Sequence, residues 1–273
     1  MKQLLRHLSI VVPVLASAHA GATEPDTRNP LTESETWTDM RGDIAGDISL
    51  LDGSPIFDVE APYRANDAAT VPITVKQTGS DAGPVKTLKL VIDENPSPLA
   101  AEIRFGAAMH PLQFETRVRV NQYSNVRVLA ETDNATYMAG RFVKASGGCS
   151  APATKDPEVA LKGMGEMRAR LFANTPLQSN RRYEAQIMIR HPNYSGLQRD
   201  QLTHLFIGAH FINELEVYQG DDLLFSLEGG ISISENPVFR FTYTDNGSPE
   251  FRVHAVDTEG NVFDRVLPKA PPA

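Results

Sequence analysis

From residue 71 to residue 143 apolar and polar side chains alternate with a period of two, the signature of half-buried strands. "FETRVRV" places Phe114, Thr116, Val118 and Val120 on one face and Glu115, Arg117 and Arg119 on the other. "PITV", "TLKLVI", "AEIRF", "NVRVLAE" and "TYMAGRFV" are further short strands, separated by Pro, Gly, Asn and Asp. Ahead of them Thr32 and Glu35 fit a capping box, and Trp37, Met40, Ile44 and Ile48 follow at helical spacing, so one short helix is expected there.

The pattern lapses between Ala145 and about Gly165, where Gly, Ser, Ala, Pro and Lys leave almost no large apolar residue, a linker composition. Strands then resume. "EAQIMIR" sets Ala185, Ile187 and Ile189 against Gln186, Met188 and Arg190. "ELEVYQGDDLLFSL" is a hairpin turning near Gly220-Asp221, and "VFRFTYTDNGSPEFRVHAV" is a second hairpin turning at "TDNGSP". The expected fold is all-β: two antiparallel sandwich domains of roughly 100 residues each, joined by a flexible segment.

The N-terminus changes the setting. Lys2 and Arg6, the apolar stretch Leu8 to Ala16 and the small-residue site Ala18-His19-Ala20 read as an export signal cleaved after Ala20. Its removal takes the net charge from −8 to −10, which argues against a nucleic-acid partner. No apolar run reaches the roughly 20 residues that span a bilayer.

Export gives weight to the single cysteine, because oxidising compartments normally pair thiols. Cys149 stands in "VKASGGCSAPATKDP". Gly147 and Gly148 allow backbone conformations closed to other residues, and Lys144 and Lys155 flank the thiol, where positive charge favours the thiolate. The expectation is an exposed, reactive thiol on a mobile arm, which would also allow a disulfide-linked dimer through Cys149. His204 and His210 are six apart, which matches no common metal spacing. His191 before Pro192 reads as a turn residue, and Asp93-Glu94 reads as a solvated loop pair. No metal or cofactor site is expected, and no base is paired with the thiol for self-contained catalysis.

Both halves carry a resemblance. "APYRANDAATVPITV", "DENPSPLAAEIRFG" and "FETRVRVNQYSNVRVLAE", within residues 35–150, resemble SoxY, the sulfur-carrying subunit of bacterial thiosulfate oxidation. "IRHPNYSGLQRD", "GAHFINELEVYQGDDLLF", "ENPVFRFTY" and "AVDTEGNVF", within residues 167–263, resemble its partner subunit SoxZ. The domain reading is thus a signal peptide at 1–20, a SoxY-like sandwich at 32–150, a linker at 151–165 and a SoxZ-like sandwich at 166–268. Gly147, Gly148 and Cys149 match the first three positions of that family's Gly-Gly-Cys-Gly-Gly arm. Ser150-Ala151-Pro152 replace its end, and Asn193-Tyr194 stand where the family usually has Met-Glu.

The resemblance implies immunoglobulin-like sandwiches and a non-enzymatic periplasmic carrier, similar to the fused SoxYZ-like carriers that accompany quinoprotein dehydrogenases. Cys149 would be the covalent attachment point for sulfur intermediates. Gly147 and Gly148 would supply arm flexibility, and Lys144 and Lys155 would support the thiolate. Periplasmic sulfur-oxidising enzymes or c-type cytochromes would be the partners. The competing expectation is a docking adaptor for a quinoprotein dehydrogenase or cytochrome, in which Cys149 is dispensable. A metal chaperone is a third reading, disfavoured because one thiol on a mobile arm is not a preorganised site.

Overall fold

A computed structural model describes residues 29–79, 82–152, 160–172 and 182–269. The expected signal peptide and Lys155 lie outside these residues. The described chain is mostly strand. An α-helix, α1, covers Glu35–Ala45. The cap is Ser34, whose Oγ accepts the Trp37 amide at 3.0 Å, and not Thr32, whose amide and hydroxyl turn instead to the side chain of Asn125. The expected helical stripe is there as far as Ile44: Trp37 packs on Val91 and Leu129, with Met40 and Ile44 beside it. Ile48 lies past the helix end and is exposed.

Eight strands precede the linker: β1 (Leu50–Asp52), β2 (Phe57–Glu60), β3 (Val71–Gln77), β4 (Thr87–Ile92), β5 (Leu99–Phe105), β6 (Gln113–Val118), β7 (Ser124–Glu131) and β8 (Thr136–Val143). Seven follow it: β9 (Met167–Leu171), β10 (Arg182–Ile189), β11 (Ile212–Gln219), β12 (Asp222–Gly229), β13 (Val238–Thr244), β14 (Glu250–Asp257) and β15 (Val262–Pro268). Inward residues follow the alternation read from the sequence. Phe114, Thr116 and Val118 on β6, and Ala185, Ile187 and Ile189 on β10, are all buried.

The two halves are fused through both layers. One sheet has the order β1-β8-β7-β4-β5-β12-β11-β14-β15, and the other β2-β3-β6-β13-β10-β9. At the seam β5 pairs antiparallel with β12, setting Phe105 opposite Phe225, and β6 pairs with β13, setting Phe114 opposite Phe241. Between the sheets the Phe114 and Phe225 rings meet edge-on at 5.2 Å, Phe225 and Phe241 at 5.3 Å. The core therefore runs from one half into the other without a break.

"ELEVYQGDDLLFSL" is the expected hairpin, β11 and β12, with Gly220-Asp221 between them. The second expected hairpin is not one. Its two strands lie in opposite sheets, β13 between β6 and β10, and β14 between β11 and β15, so "TDNGSP" crosses the sandwich. The two segments alternate well enough for a hairpin, but each finds its partners elsewhere. Asp93 is likewise no solvated loop charge. It is buried in a forked pair with Arg127, with Nε and Nη2 each 2.8 Å from a carboxylate oxygen. The Arg127 guanidinium lies 4.6 Å over the Trp37 ring.

Candidate functional site

The segment that leaves β8 does not extend into solvent. It runs back over the seam, and three loops receive it. The Gly147 amide donates to Asn121 O at 2.8 Å, and the Gly148 amide to Val120 O at 3.1 Å, which ties the segment to the loop after β6. Val120 is in turn bound to Ala68 in the loop after β2. From the second half, Ser195 Oγ donates to the Cys149 carbonyl, and Gln198 Nε2 donates to the Ala151 carbonyl at 3.0 Å. Gln198 Oε1 accepts the Ser195 amide at 3.1 Å, so the two clamp residues hold one another.

Cys149 is consequently 0% exposed, which corrects the expectation of an exposed thiol. The expectation treated the Gly-Ser-Ala segment as having only its own neighbours to hide behind, whereas the cover comes from residues 191–198 of the other half. In this closed position no second chain can reach the sulfur to form a disulfide. The two glycines have a different part from the flexibility expected of them. Gly147 has φ +79°, which favours glycine, and a Cβ on Gly148 would lie 2.1 Å from Ala68 O and 2.7 Å from Val120 O. They let the segment lie flat in its berth.

The charge beside the thiol is also not the expected one. The Lys144 ammonium rests over the Tyr63 ring, 4.7 Å from its centre, and also faces Tyr123. The thiol is influenced instead by Arg119. Burial pushes the Cys149 thiol above its ordinary value, and the Arg119 guanidinium opposes that rise. The thiol in this position is therefore neutral at neutral pH, which is not the nucleophilic species. Arg119 is itself 1% exposed. Its Nη1 donates to the carbonyls of Ile231, at 3.3 Å, and Ile233, while its Nε finds no acceptor. The period-two alternation places Arg119 on the solvent side of an extended β6. The strand stops at Val118, and Arg119 is already in the loop that follows, with a buried side chain.

The clamp loop is anchored by residues that spacing did not connect. Asn193, at φ +42°, accepts the Ile212 amide at 3.2 Å, and its own amide donates to His191 Nδ1 at 3.0 Å. The buried rings of His191 and His210 meet edge-on at 4.9 Å over Asp257. Asp257 Oδ2 accepts from His210 Nε2 and from Asn261 Nδ2, at 2.7 and 2.8 Å, and lies 3.4 Å from His191 Nε2. Asp257 Oδ1 takes the amides of Glu259 and Asn261.

By residue type these three could ligate a cation, their ligand atoms lying within 4.8 Å of one another. The hydrogen bonding argues otherwise. His191 Nδ1 is occupied by an amide donor, so the neutral ring carries its proton on Nε2, the nitrogen a metal would need bare. The cluster reads as a buried carboxylate sharing two imidazole donors. Burial raises the Asp257 pKa, but the bonds from Asn261, His210 and His191 outweigh it and hold the carboxyl at about 2. Burial also pulls His191 below its ordinary value. Only the proximity of His191 and His210 to residues of the "IRHPNYSGLQRD" and "GAHF" stretches could have hinted at this junction.

Comparison with known proteins separates the chain at the same place. Residues 41–149 match the family model described as "Sulfur oxidation protein SoxY", and residues 173–267 match that of "Sulphur oxidation protein SoxZ". No curated protein matches the chain. Among solved structures, the sulfur carrier protein SoxY from Chlorobium limicola f thiosulfatophilum is similar at 24% identity and a TM-score of 0.34. The match covers 39% of this chain and 89% of that one.

Proposed function

Because the chain belongs to the Sox sulfur-oxidation carrier family, with a SoxY unit followed by a SoxZ unit in one polypeptide, we propose that it holds sulfur-compound intermediates covalently on Cys149. It would present them to sulfur-oxidising enzymes of the periplasm, with export by residues 1–20. The observation that carries this reading is the way the thiol is held. The side-chain clamp grips backbone carbonyls, Cys149 O and Ala151 O, and among the described residues the sulfur has no disulfide partner.

Loading requires the arm to leave its berth, since a neutral thiol at 0% exposure is not reached by any reagent. Once outside, the thiolate is free to form a disulfide-type bond to the outer sulfur of thiosulfate. The thiol proton goes to solvent, and the electron pair released by forming the sulfur–sulfur bond passes to an electron-accepting partner such as a c-type cytochrome. The adduct is a Cys–S–S–SO3 monoanion.

The test is intact-mass spectrometry of the protein from its native periplasm, without reductant, before and after thiosulfate exposure, followed by mapping of residues 143–157. A reducible adduct on Cys149 that is absent from Cys149→Ala supports the carrier. An unmodified thiol in every condition, with partner capture unchanged in Cys149→Ala, supports the docking adaptor instead. The buried, un-ionised state of the resting thiol is the observation that favours that second reading.

A further inference from the structure

Arg119 is a buried cation without a buried anion. Among the described residues it forms no ion pair with a carboxylate. Cys149 is the group that acts on it most strongly through space, ahead of Glu235 and Asp67, and its Nη1 is met by the neutral carbonyls of Ile231 and Ile233. Its Nε–H, fully enclosed, donates to nothing. Burying a guanidinium without a counter-ion is costly, and an orphaned donor adds to that cost. Tying β6 to the loop after β12 accounts for Nη1. It does not account for a charge where a neutral donor would serve, nor for the unused Nε.

The geometry brings the arm to this group from both sides. Gly148, next to the cysteine, is bonded to Val120, next to Arg119. Ile233 O, which accepts from Arg119, also faces Asn193 Nδ2 at 3.5 Å, two residues before the Ser195 that holds the Cys149 carbonyl. Cys149 is thus held through its neighbour Gly148 to the loop that carries Arg119, and through Ser195 to the clamp loop that also reaches the Arg119 acceptor Ile233.

We propose that Arg119 is the counter-ion for the cargo: when the arm closes with an anionic sulfur-oxo group on Cys149, the sulfonate-type terminus is paired by the Arg119 guanidinium through its free Nε–H. This rests on the carrier reading and narrows it. The protein retains anionic, oxidised sulfur adducts in its closed state better than neutral ones of similar size. Arg119 is a positioning and selectivity residue in this scheme and takes no part in bond making.

Two reagents load the protein without any partner. Tetrathionate exchanges with the Cys149 thiolate to give Cys–S–S–SO3⁻ and releases thiosulfate. Methyl methanethiosulfonate gives the neutral Cys–S–S–CH3 and releases methanesulfinate. For full-length wild type, Arg119→Met and Arg119→Lys, the rate at which a phosphine reductant strips each adduct is measured, together with the melting temperature of each loaded form. The anionic-to-neutral ratio of stripping rates is expected to rise about tenfold or more in Arg119→Met, the scale of one charge-assisted hydrogen bond, and to stay near wild type in Arg119→Lys. An unchanged ratio in Arg119→Met overturns the proposal, even if both adducts are stripped faster there. Should Arg119→Met not fold, the wild type alone decides. The anionic adduct is expected to melt higher than the neutral one, and a lower melting point overturns the assignment. The loading is chemical, so these outcomes are independent of whether the periplasmic protein carries an adduct.

Discussion

Replacing Ser195 with alanine perturbs the arm while touching no core residue. The change removes the donor to the Cys149 carbonyl and the acceptor of the Leu197 amide at 3.2 Å. In the closed state the Cys149 carbonyl is left without that partner in a buried setting, whereas in the open state water satisfies it in both proteins. The difference therefore falls almost wholly on the closed form. A lost bond of this kind is worth about 1 kcal/mol, and roughly 2 when the abandoned group stays buried. That raises the opening constant by about 5- to 30-fold. The assay is labelling of Cys149 by a neutral alkylating reagent in excess, under conditions where closing outpaces labelling, so that the rate equals the opening constant times the rate of a free thiol. Global stability is followed in parallel by urea unfolding. An unchanged labelling rate in Ser195→Ala refutes the clamp. So does a rate that rises only with the fall in global stability and carries the full urea dependence of unfolding, because Cys149 would then be exposed only when the whole molecule unfolds. Gln198→Ala, which releases Ala151, should act in the same direction. The double variant should fall short of the product of the two, since Gln198 also orients Ser195.

Gly148→Ala should prevent closure, because the added carbon meets Ala68 O and Val120 O well inside contact distance; labelling should approach the free-thiol rate while β-sheet circular dichroism is kept. Cys149→Ala should fold normally, with a melting temperature within a few degrees of wild type. The Asp257 carboxyl, held at about 2 against 3.8 for the ordinary group, contributes stability that is present above pH 4 and lost as pH falls toward 2. Wild type should lose about 2 kcal/mol across that window that Asp257→Asn does not lose, as read by urea melts at each pH. Arg127→Met leaves Asp93 buried and unpaired; a loss of about 3 to 5 kcal/mol is expected, and a loss below 1 would show that the pair is solvated.

The period-two alternation marked nearly every strand, because residues buried on one face need only their own side-chain pattern to be recognised. What it left hidden was set by partners far along the chain. Nothing in "VFRFTYT" indicates that its neighbours are β10 and β6, and the turn after it looks alike whether it closes a hairpin or crosses the sandwich. Arg119 continues the polar phase of Glu115 and Arg117, and only the end of β6 one residue earlier takes it out of that series. Cys149 was legible as the residue of interest from its uniqueness and its glycines. Its burial was not, since Ser195 lies 46 residues away. The Asp93–Arg127 pair spans 34 residues and was missed for the same reason.

The seam has a consequence for dosage. Cys149 is contributed by the first half and its cover by the second, and in a single polypeptide the two halves are always present in equal number. The cover acts at an effective local concentration that diluting the protein does not lower. A carrier assembled from separate subunits loses the cover whenever they part, and at low abundance its thiol is left open to whatever oxidant is near. In this chain the sheltered fraction of Cys149 is a property of the molecule alone, the same at nanomolar as at millimolar concentration.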